Sequence, residues 1–502
     1  MKKLLLIGCL LSSVPAWAQT PTTSSEASAL DVPQLQTFAT EHKGKFHGKT
    51  INYTATVSNM HLYNDQGDVI ADAVTTAYVA NSKENRPVTF VFNGGPGSAS
   101  IWLHMGLFGP KIVSVPSDAK DAGNAPYTLQ DNPLSPLDTT DLVFIDPIGT
   151  GFSKLAGKGT AADVWGLEED AKSVSQIVKR WVAQNNRWNS AKYIASESYG
   201  TTRAAAMQPY LDDRANPMRM NGLILISQAL DYTGSTPAAN NLLAYVTYLP
   251  TMAATAWYHG KIDKSSISVQ ALVEQAKSFA VDTYLPALFK GSLLPKAEFD
   301  AIADKLAYFT GLPVEIIKRA NLRVEAGRHV KLLLADQGLT VGRLDSRYQN
   351  DELDDLDVRP HYDAASVAIS SAYNAALRHY LANDLQVNWS REYVVSSSEV
   401  NRNWVYDRDG SSEPSYVNSA YSLSEEMRKN PSMHILLASG YYDYATPFFD
   451  AEYTFARYGI DLSRVTRTYY ESGHMIYLHQ PDFEQLAEDI QQFYRVNARD
   501  AD

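Results

Sequence analysis

Ser198 is the residue whose surroundings most favour nucleophilic chemistry. It lies in the run YIASESYG (residues 193–200), which predicts a β-strand ending in a sharp turn, and a helical pattern follows over 201–207. A serine at such a strand-turn-helix elbow has its hydroxyl exposed above the sheet. The run departs from G-x-S-x-G because Ser196 stands at the first glycine position, although serine is small enough for a close turn. Taken alone, the run fits an ordinary turn equally well.

An aspartate and a histidine follow two later strand patterns. The apolar run 433–440 predicts a buried strand with Asp443 in the loop after it, and the pattern over 464–470 ends just before His474. The order serine, acid, histidine, each after a strand, is that of the α/β hydrolases. In such a triad His474 would accept the proton of Ser198, and Asp443 would hold the imidazole in one tautomer.

A glycine-rich loop follows the predicted strand Val88–Phe92. Its sequence, NGGPGSAS over residues 93–100, leaves backbone N–H groups uncrowded and free to face an oxyanion. The loop lacks the Lys-Ser/Thr ending of a phosphate-binding loop, and a simple tight turn is the other alternative. Together with the serine elbow, the loop favours an oxyanion hole.

The elements that must position these residues alternate between strands and helices. Predicted strands lie at 88–92, 142–146, 192–195 and 223–227, and a helical period covers 162–185. This alternation predicts an α/β-hydrolase fold, with a mostly parallel central sheet and helices on both faces. A preceding stretch of alternating polar and apolar residues indicates antiparallel strands that join the same sheet.

Helical patterns dominate between the two halves of this predicted core. We expect a signal peptide over 1–18, a disordered leader over 19–44 and the first part of the hydrolase core over 45–234. A mainly helical cap is expected over 235–400, and the second part of the core, carrying the acid and the histidine, over 401–502. Long excursions of this kind often cover an active site.

Several motifs together resemble the serine carboxypeptidases, peptidase family S10. The resemblance runs from about residue 85 to 485 and rests on the segments 93–97, 146–153, 197–200, 439–443 and 473–475. It implies that Ser198, Asp443 and His474 form a catalytic triad that cleaves peptides through an acyl-enzyme intermediate. No cofactor and no metal are implied.

The resemblance also assigns the residues around the triad. It implies an oxyanion hole formed by the backbone N–H groups of Gly95 and Tyr199. Asn93 and Glu197 would recognise the free C-terminal carboxylate of the substrate, and Met475 would line the pocket for the leaving residue.

Three positions depart from the family pattern. Val91 stands where a tryptophan is usual, and Tyr441 replaces an extra aspartate of the acid loop. Leu107 replaces a glutamate that normally shares a proton with the equivalent of Glu197. Without that partner Glu197 should ionise more easily, and an ionised glutamate repels a carboxylate. We therefore expect weaker discrimination for free C-termini, or activity shifted further toward acid pH.

The N-terminus predicts an exported protein. Lys2 and Lys3 precede an apolar stretch over 4–11, and Ala16-Trp17-Ala18 supplies a small-x-small cleavage site. The one cysteine, Cys9, lies in this segment, so a chain cleaved after Ala18 has none. Disulfides are usual in the eukaryotic carboxypeptidases, so the resemblance indicates a bacterial, periplasmic or secreted relative.

Charge and composition define the expected partners. The net charge of −12 is acidic and unclustered, which argues against nucleic acid and, after signal removal, against anionic membrane as partners. Peptides are the expected substrates. The acidic run 351–357 lacks the glycine and the terminal glutamate spacing of a calcium loop and predicts a solvated loop. No histidine pair has the H-E-x-x-H spacing of a zinc peptidase.

Two other functions use the same features. The triad could serve an esterase, amidase or acyltransferase, an alternative that Leu107 supports. A hydrolase scaffold could also have become a non-catalytic binding protein, although a complete triad and oxyanion loop argue against this.

Overall fold

The structure of the protein is a computed structural model that describes residues 30–82, 85–354, 357–406 and 416–499. The predicted signal peptide over 1–18 and the predicted leader as far as residue 29 lie outside these ranges.

Fourteen strands lie in the described residues: β1 Thr37–Phe46, β2 Lys49–Tyr63, β3 Val69–Ala80, β4 Val88–Phe92, β5 Lys111–Val113, β6 Leu129–Asp131, β7 Asp141–Asp146, β8 Lys154–Leu155, β9 Lys192–Ser198, β10 Gly222–Gln228, β11 Leu339–Val341, β12 Gln349–Asp351, β13 His434–Gly440 and β14 Val465–Tyr470. The central sheet has the order β1-β2-β3-β7-β4-β9-β10-β13-β14, with β8 paired to β3. From β7 to β14 all neighbours are parallel, whereas β1, β2 and β3 join antiparallel. The predicted mostly parallel sheet is therefore confirmed.

The helices of the described ranges are α1 Ile101–Leu103, α2 Ala161–Val164, α3 Leu167–Gln184, α4 Tyr199–Ala206, α5 Gln208–Leu211, α6 Leu242–Tyr258, α7 Val269–Phe279, α8 Leu285–Lys290, α9 Lys296–Thr310, α10 Val314–Arg319, α11 Ala326–Leu332, α12 Ala364–Asn383, α13 Ser398–Arg402, α14 Ala420–Lys429, α15 Phe448–Arg457 and α16 Gln480–Arg499. Single π-helical turns cover His104–Phe108 and Ala280–Tyr284, and 3₁₀ turns cover Pro136–Asp138, Gly291–Leu293, Ala335–Gln337, Leu462–Arg464 and Ile476–Leu478. None of the helices in these ranges has the length and apolar character needed to cross a bilayer.

Two apolar layers cover the two faces of the sheet. Along β7, Leu142 and Phe144 face the layer that includes α12 and α16, while Val143 and Ile145 face the layer that includes α3. Successive side chains of a strand point to opposite faces, so continuous apolar runs belong to strands that are covered on both sides. This burial fixes the parallel strands, whose ends carry the candidate site.

The predicted disordered leader over 19–44 is wrong for residues 37–44. These residues belong to β1, which pairs with β2 from Thr37 to Phe46. The strand has a polar sequence, TFATEHKGKF, and only Phe46 is fully buried. Because β1 is an edge strand held by backbone hydrogen bonds, its sequence carries no apolar run that would predict it.

Helices dominate between β10 and β13, and most of them share a core of their own. That core includes Tyr245, Tyr248 and Phe309, and it is separate from the two layers on the sheet. The short antiparallel hairpin β11–β12 lies in the same region. In contrast, α12 packs its buried face into one of the sheet layers. The division at 235 and 400 stays a prediction.

Among the described residues of the acidic run 351–357, the buried Glu352 differs from the predicted solvated loop. Glu352 is buried and forms an ion pair with Lys331 on α11, which is buried as well. A buried carboxylate needs a partner, and Lys331 supplies it. Composition alone does not reveal this pairing because Lys331 is distant in the chain.

Candidate active site

Ser198 lies at a strained elbow between β9 and α4. Its backbone has φ 61° and ψ −134°, a region that residues with a side chain rarely adopt. Ser198 is partly exposed, whereas its neighbours Glu197 and Tyr199 are buried. Backbone strain of this kind persists where surrounding structure holds it, often at functional sites. The hydroxyl of the predicted nucleophile is thus presented at the end of a buried strand.

Close packing at Gly200 holds the elbow against the glycine-rich loop. A Cβ on Gly200 would come within 3.1 Å of the carbonyl oxygens of Phe92 and Asn93. Ser196, at the position of the missing first glycine, lies fully buried in β9 opposite Phe92 of β4. A small side chain is therefore sufficient at residue 196.

Asp443 and His474 form a hydrogen-bonded pair after β13 and β14. The imidazole Nδ1 lies 2.8 Å from Asp443 Oδ2. The other carboxylate oxygen accepts the backbone N–H groups of Ala445 at 2.7 Å and Thr446 at 3.0 Å. Because Asp443 is fully buried, these bonds fix its orientation toward the imidazole.

The backbone of His474 is held from two sides. Its N–H donates to the carbonyl of Leu344 at 2.7 Å, and its carbonyl accepts the hydroxyl of Ser227 at the end of β10, also at 2.7 Å. Burial alone would lower the pKa of His474, but the Asp443 carboxylate and its hydrogen bond outweigh burial and hold that pKa above its usual value. The imidazole can therefore accept a proton readily.

Backbone N–H groups of the predicted oxyanion hole come from two adjoining segments. Tyr199 is the first residue of α4, where helix N–H groups have no partner within the helix. The loop approaches so closely that a Cβ on Gly94 would lie 2.5 Å from the backbone nitrogen of Tyr199. Gly95 next to it has φ 103°, which glycine adopts without strain. Both predicted donors line the same cavity as Ser198.

Asn93 is held by three hydrogen bonds. Its amide group donates to Glu197 Oε1 at 2.8 Å, and its side-chain oxygen accepts the backbone N–H of Leu103 at 3.0 Å. Its carbonyl accepts the guanidinium of Arg203 at 2.7 Å, and Arg203 forms a fully buried ion pair with Asp170 on α3. The position of Asn93 is therefore fixed by the core of the fold.

Glu197 is a buried carboxyl group. Burial raises its pKa to about 7, and the lowering effects of His474, Tyr477 and Asn93 only partly offset that rise. This differs from the expectation that Glu197 ionises easily when Leu107 replaces its partner. Since burial alone disfavours the charged form, Glu197 remains protonated at mildly acid pH.

The three departures from the family pattern are all buried. Val91 and Leu107 lie in the layer that α12 and α16 cover, and both side chains are almost fully buried. Tyr441 stacks on Tyr469 and packs edge-on against Phe448. Each substitution thus exchanges a polar or bulky family residue for one that fits its apolar surroundings.

One cavity of about 1030 Å³ brings the predicted site residues together. Its lining includes Asn93, Gly95, Glu197, Ser198, Tyr199, His474 and Met475. Asp443 lies behind His474 and has no exposed surface. All the predicted site residues therefore belong to one place in the fold. Among the described residues no cluster of three or more metal-ligating side chains occurs.

Part of the cavity wall comes from segments that are distant in sequence from Ser198. Residues of α12 and the stretch 392–396 line it, together with Arg343. The stretch is tied to the core at Val394, which pairs with Gly151, and at Ser396, which pairs with Ser98. Tyr393 also donates to the buried carboxylate of Asp146 at 3.2 Å. Sequence patterns gave no sign of this wall.

Thr446 is a site residue that the sequence analysis missed. Its hydroxyl donates to Asp443 Oδ2 at 2.6 Å and lies 3.2 Å from Nδ1 of His474. A threonine three residues after an aspartate often reaches back to that carboxylate, so the spacing was an available signal. Arg343, in contrast, enters the cavity from about 100 residues away in the chain, and no local signal marks it.

The structure is similar to that of a prohormone-processing carboxypeptidase from Saccharomyces cerevisiae, Kex1. The TM-score is 0.53 with 14% sequence identity over 88% of this chain and 91% of that chain. Two matches have lower TM-scores of 0.34. These are a carboxyl esterase from Bacillus coagulans (13% identity, 88% of this chain, 98% of that one) and a siderophore hydrolase from Aspergillus fumigatus (13%, 87% and 96%).

No protein in a curated set of sequences is significantly similar to this chain. The model of the family described as serine carboxypeptidase matches residues 75–488. This match covers most of the chain and includes the elbow, the acid loop and the histidine loop. The chain therefore belongs to the serine carboxypeptidase family and is a hydrolase of that type.

Proposed function

We propose that this enzyme releases C-terminal residues from peptides through an acyl-enzyme formed on Ser198, with His474 as general base and Asp443 as its partner. One observation carries the proposal. The hydrogen-bonded pair of Asp443 and His474 lies at the same cavity as a serine held at a strained elbow.

Acylation begins with attack of the Ser198 hydroxyl on the carbonyl carbon of the last peptide bond. As the oxygen–carbon bond forms, the hydroxyl proton passes to Nε2 of His474, and Asp443 stabilises the resulting cation at Nδ1. The carbonyl oxygen becomes an oxyanion that the N–H groups of Gly95 and Tyr199 would stabilise. His474 then returns the proton to the leaving nitrogen, and the C–N bond breaks.

Deacylation uses the same groups with water as the nucleophile. His474 takes a proton from the water while the water oxygen attacks the ester carbon of the acyl-enzyme. The second tetrahedral intermediate collapses when His474 protonates Ser198, which restores the free enzyme. No additional reactant is needed.

Recognition of the free C-terminus is assigned to Asn93 and Glu197. Both line the cavity, and Asn93 already donates to Glu197, so the two polar groups act as one surface. A protonated Glu197 can donate a hydrogen bond to the substrate carboxylate, whereas an ionised one repels it. Met475, which follows His474 and lines the same cavity, is proposed to contact the side chain of the leaving residue.

The two titrating groups set opposite limits on pH. Glu197 has a raised pKa of about 7, so its protonated, carboxylate-binding form is present below that pH and is lost above it. His474 must be neutral to act as a base, and its raised pKa moves the acid limit upward. We therefore expect a narrow pH range for peptides with a free C-terminus. The hydrolysis of peptide amides should keep the acid limit of this range and lack the alkaline limit.

The proposal is tested with N-blocked dipeptides and their C-terminal amides, assayed for kcat and KM across pH. The expected result is a preference for the free acid that disappears as pH rises through about 7, because the KM of the acid increases. Equal rates on acid and amide at every pH would contradict the carboxylate assignment. Absence of covalent labelling of Ser198 by a fluorophosphonate on folded protein would contradict the triad and revive a non-catalytic role.

An esterase, amidase or acyltransferase activity is the second candidate. The observation that favours it is Leu107, an apolar side chain where the family pattern places a second carboxyl group. The same substrate panel decides this, since ester or amide turnover above that of free-acid peptides would support it.

The proposal also covers the export of the protein and the role of the helices between β10 and β13. We propose that residues 1–18 direct export to a bacterial periplasm or to the medium, and that the helices between β10 and β13 cap the cavity. Support for the cap comes from residues of α12 and from Arg343, which line the same cavity as Ser198. Processing after Ala18 is checked by mass spectrometry of the protein purified from its native compartment.

A further inference from the structure

Glu197 has one carboxyl oxygen without a well-aligned partner. Oε1 accepts the amide of Asn93, but Oε2 is buried and has no hydrogen bond of good geometry within the described part of the chain. A buried polar atom left in this way costs free energy and needs an explanation. The groups that face it are therefore of interest.

The hydroxyl of Tyr477 is the second buried polar atom without an aligned partner at this place. Tyr477 lies in the 3₁₀ turn that follows Met475, and its hydroxyl is close enough to Glu197 to lower the pKa of that carboxyl group. The side chain of Asn93 in turn lowers the pKa of Tyr477. The hydroxyl therefore lies beside both predicted carboxylate-recognition residues, and Tyr477 is not among the residues that line the cavity.

Gly106 makes room for this tyrosine. A Cβ at residue 106 would lie 2.5 Å from the ring of Tyr477 and 2.6 Å from the hydroxyl of Tyr373. Gly106 belongs to the same π-helical turn as Leu107, and this turn packs against the turn of Tyr477. The segment that lacks a second carboxyl group is thus the one that accommodates a phenol.

We propose that Tyr477 is a positioning residue that holds the Glu197 carboxyl group and takes the place of the second carboxyl group absent at Leu107. The inference rests on the proposed function of Glu197 as the reader of the substrate carboxylate. A phenol can donate one hydrogen bond to the carboxyl group of Glu197. Unlike a second carboxyl group, it orients Glu197 without sharing a titrating proton with it.

The consequence is a single ionisation at the recognition site. Burial and the neighbouring Glu197 hold the pKa of Tyr477 well above its usual value, so the hydroxyl stays protonated over the working pH range. The other charged or titratable groups that act on Glu197 are His474 and Asp443, and Glu197 in turn acts on Tyr373. Glu197 then titrates as one carboxyl group coupled to the triad, not as half of a carboxyl pair.

The variant Tyr477→Phe tests this role directly. Phenylalanine keeps the ring against Gly106 and removes the hydroxyl that faces Glu197 and Asn93 and that favours ionised Glu197. The pKa of Glu197 should therefore rise above its wild-type value. Tyr373→Phe is the matched control, because its hydroxyl is also buried near Gly106 but makes no hydrogen bond that lowers the pKa of Glu197.

Infrared difference spectra across pH measure the titration without substrate. The protonated-carboxyl band of Glu197 is assigned by its loss in Glu197→Gln. We expect its midpoint near 7 in the wild type, a higher midpoint in Tyr477→Phe and an unmoved one in Tyr373→Phe. An unmoved midpoint in folded Tyr477→Phe, or equal shifts in both tyrosine variants, would overturn the inference.

Kinetics separates this inference from the proposed function. In Tyr477→Phe, the rise of KM for a free-acid peptide should move to higher pH with the same shift, while kcat for the peptide amide is retained. If wild-type enzyme shows no acid-over-amide preference but the infrared midpoint still moves, the proposed function of Glu197 fails and the positioning role stands. Equal loss of kcat on both substrates, without a shift in the KM profile, would show a merely structural role.

Discussion

The two ends of the active-site cavity are built differently. At the catalytic end, both oxygens of Asp443 accept hydrogen bonds, and His474 is held through its ring and both of its backbone polar groups. At the recognition end, Glu197 Oε2 and the Tyr477 hydroxyl lack well-aligned partners among the described residues. Hydrogen bonds within the protein therefore organise the catalytic end, whereas burial is the largest influence on the pKa of Glu197 at the recognition end.

Replacing the nucleophile should give the largest effect and test the catalytic end. Ser198→Ala removes the attacking oxygen, and we expect kcat to fall by about 10⁴- to 10⁶-fold. The activity that remains would come from oxyanion stabilisation and substrate binding. Ser196→Ala, two residues away and fully buried, is the matched control and should retain activity. Similar kcat values for Ser198→Ala and the wild type on a blocked dipeptide would remove Ser198 from the mechanism.

Asp443→Asn should give the second largest loss. An amide cannot accept the Nδ1–H hydrogen bond and the two backbone N–H bonds together, so the imidazole changes tautomer and no longer accepts the serine proton. We expect kcat to fall by about 10⁴-fold with KM little changed. Steady-state kinetics at pH values on both sides of neutrality measures this, and retained labelling of Ser198 at the wild-type rate would contradict it.

The difference between the two ends also explains what the sequence predicts. The triad is predictable because its members follow strands in a fixed order, and the structure brings Ser198 and His474 to one cavity. The sheet is predictable because its parallel strands are apolar on both faces. The roles of Tyr477 and Arg343 are not predictable, because each side chain comes near Glu197 or the cavity only through packing of segments that are distant in sequence from β9. β1 was missed because an edge strand needs few apolar residues.

Glu197→Gln should change recognition and leave the chemistry in place. Glutamine keeps the shape and the contact with Asn93 but cannot ionise, so the KM for free-acid peptides should become independent of pH. Below about pH 7, where the wild type carries the protonated acid, the amide N–H of glutamine still donates to the substrate carboxylate, so the KM of the variant should stay within about 10-fold of the wild type; above that pH the variant should have the lower KM.

Peptide amides supply the control for this variant. They carry no terminal carboxylate, so their kcat/KM should be the same in Glu197→Gln and the wild type apart from the coupling to His474. Removing the negative charge of ionised Glu197 should lower the pKa of His474, because that charge raises it. The acid limit of amide hydrolysis should therefore move to lower pH. An unchanged pH profile on both substrates would separate Glu197 from recognition and from the triad.

Thr446 should give the smallest effect, because its hydroxyl contacts Asp443 and His474 without taking part in proton transfer. Thr446→Val keeps the shape but removes the hydroxyl that donates to Asp443 Oδ2. Loss of one hydrogen bond of about 1 kcal/mol predicts a fall in kcat of about fivefold, with KM unchanged. The Asp443 charge would then act more strongly on His474, so the acid limit of kcat/KM should move to higher pH. Thr446→Ser retains the hydroxyl and should behave as the wild type. If valine and serine give the same profile, the hydroxyl does not tune the triad, and the catalytic end depends on the backbone donors of the acid loop alone.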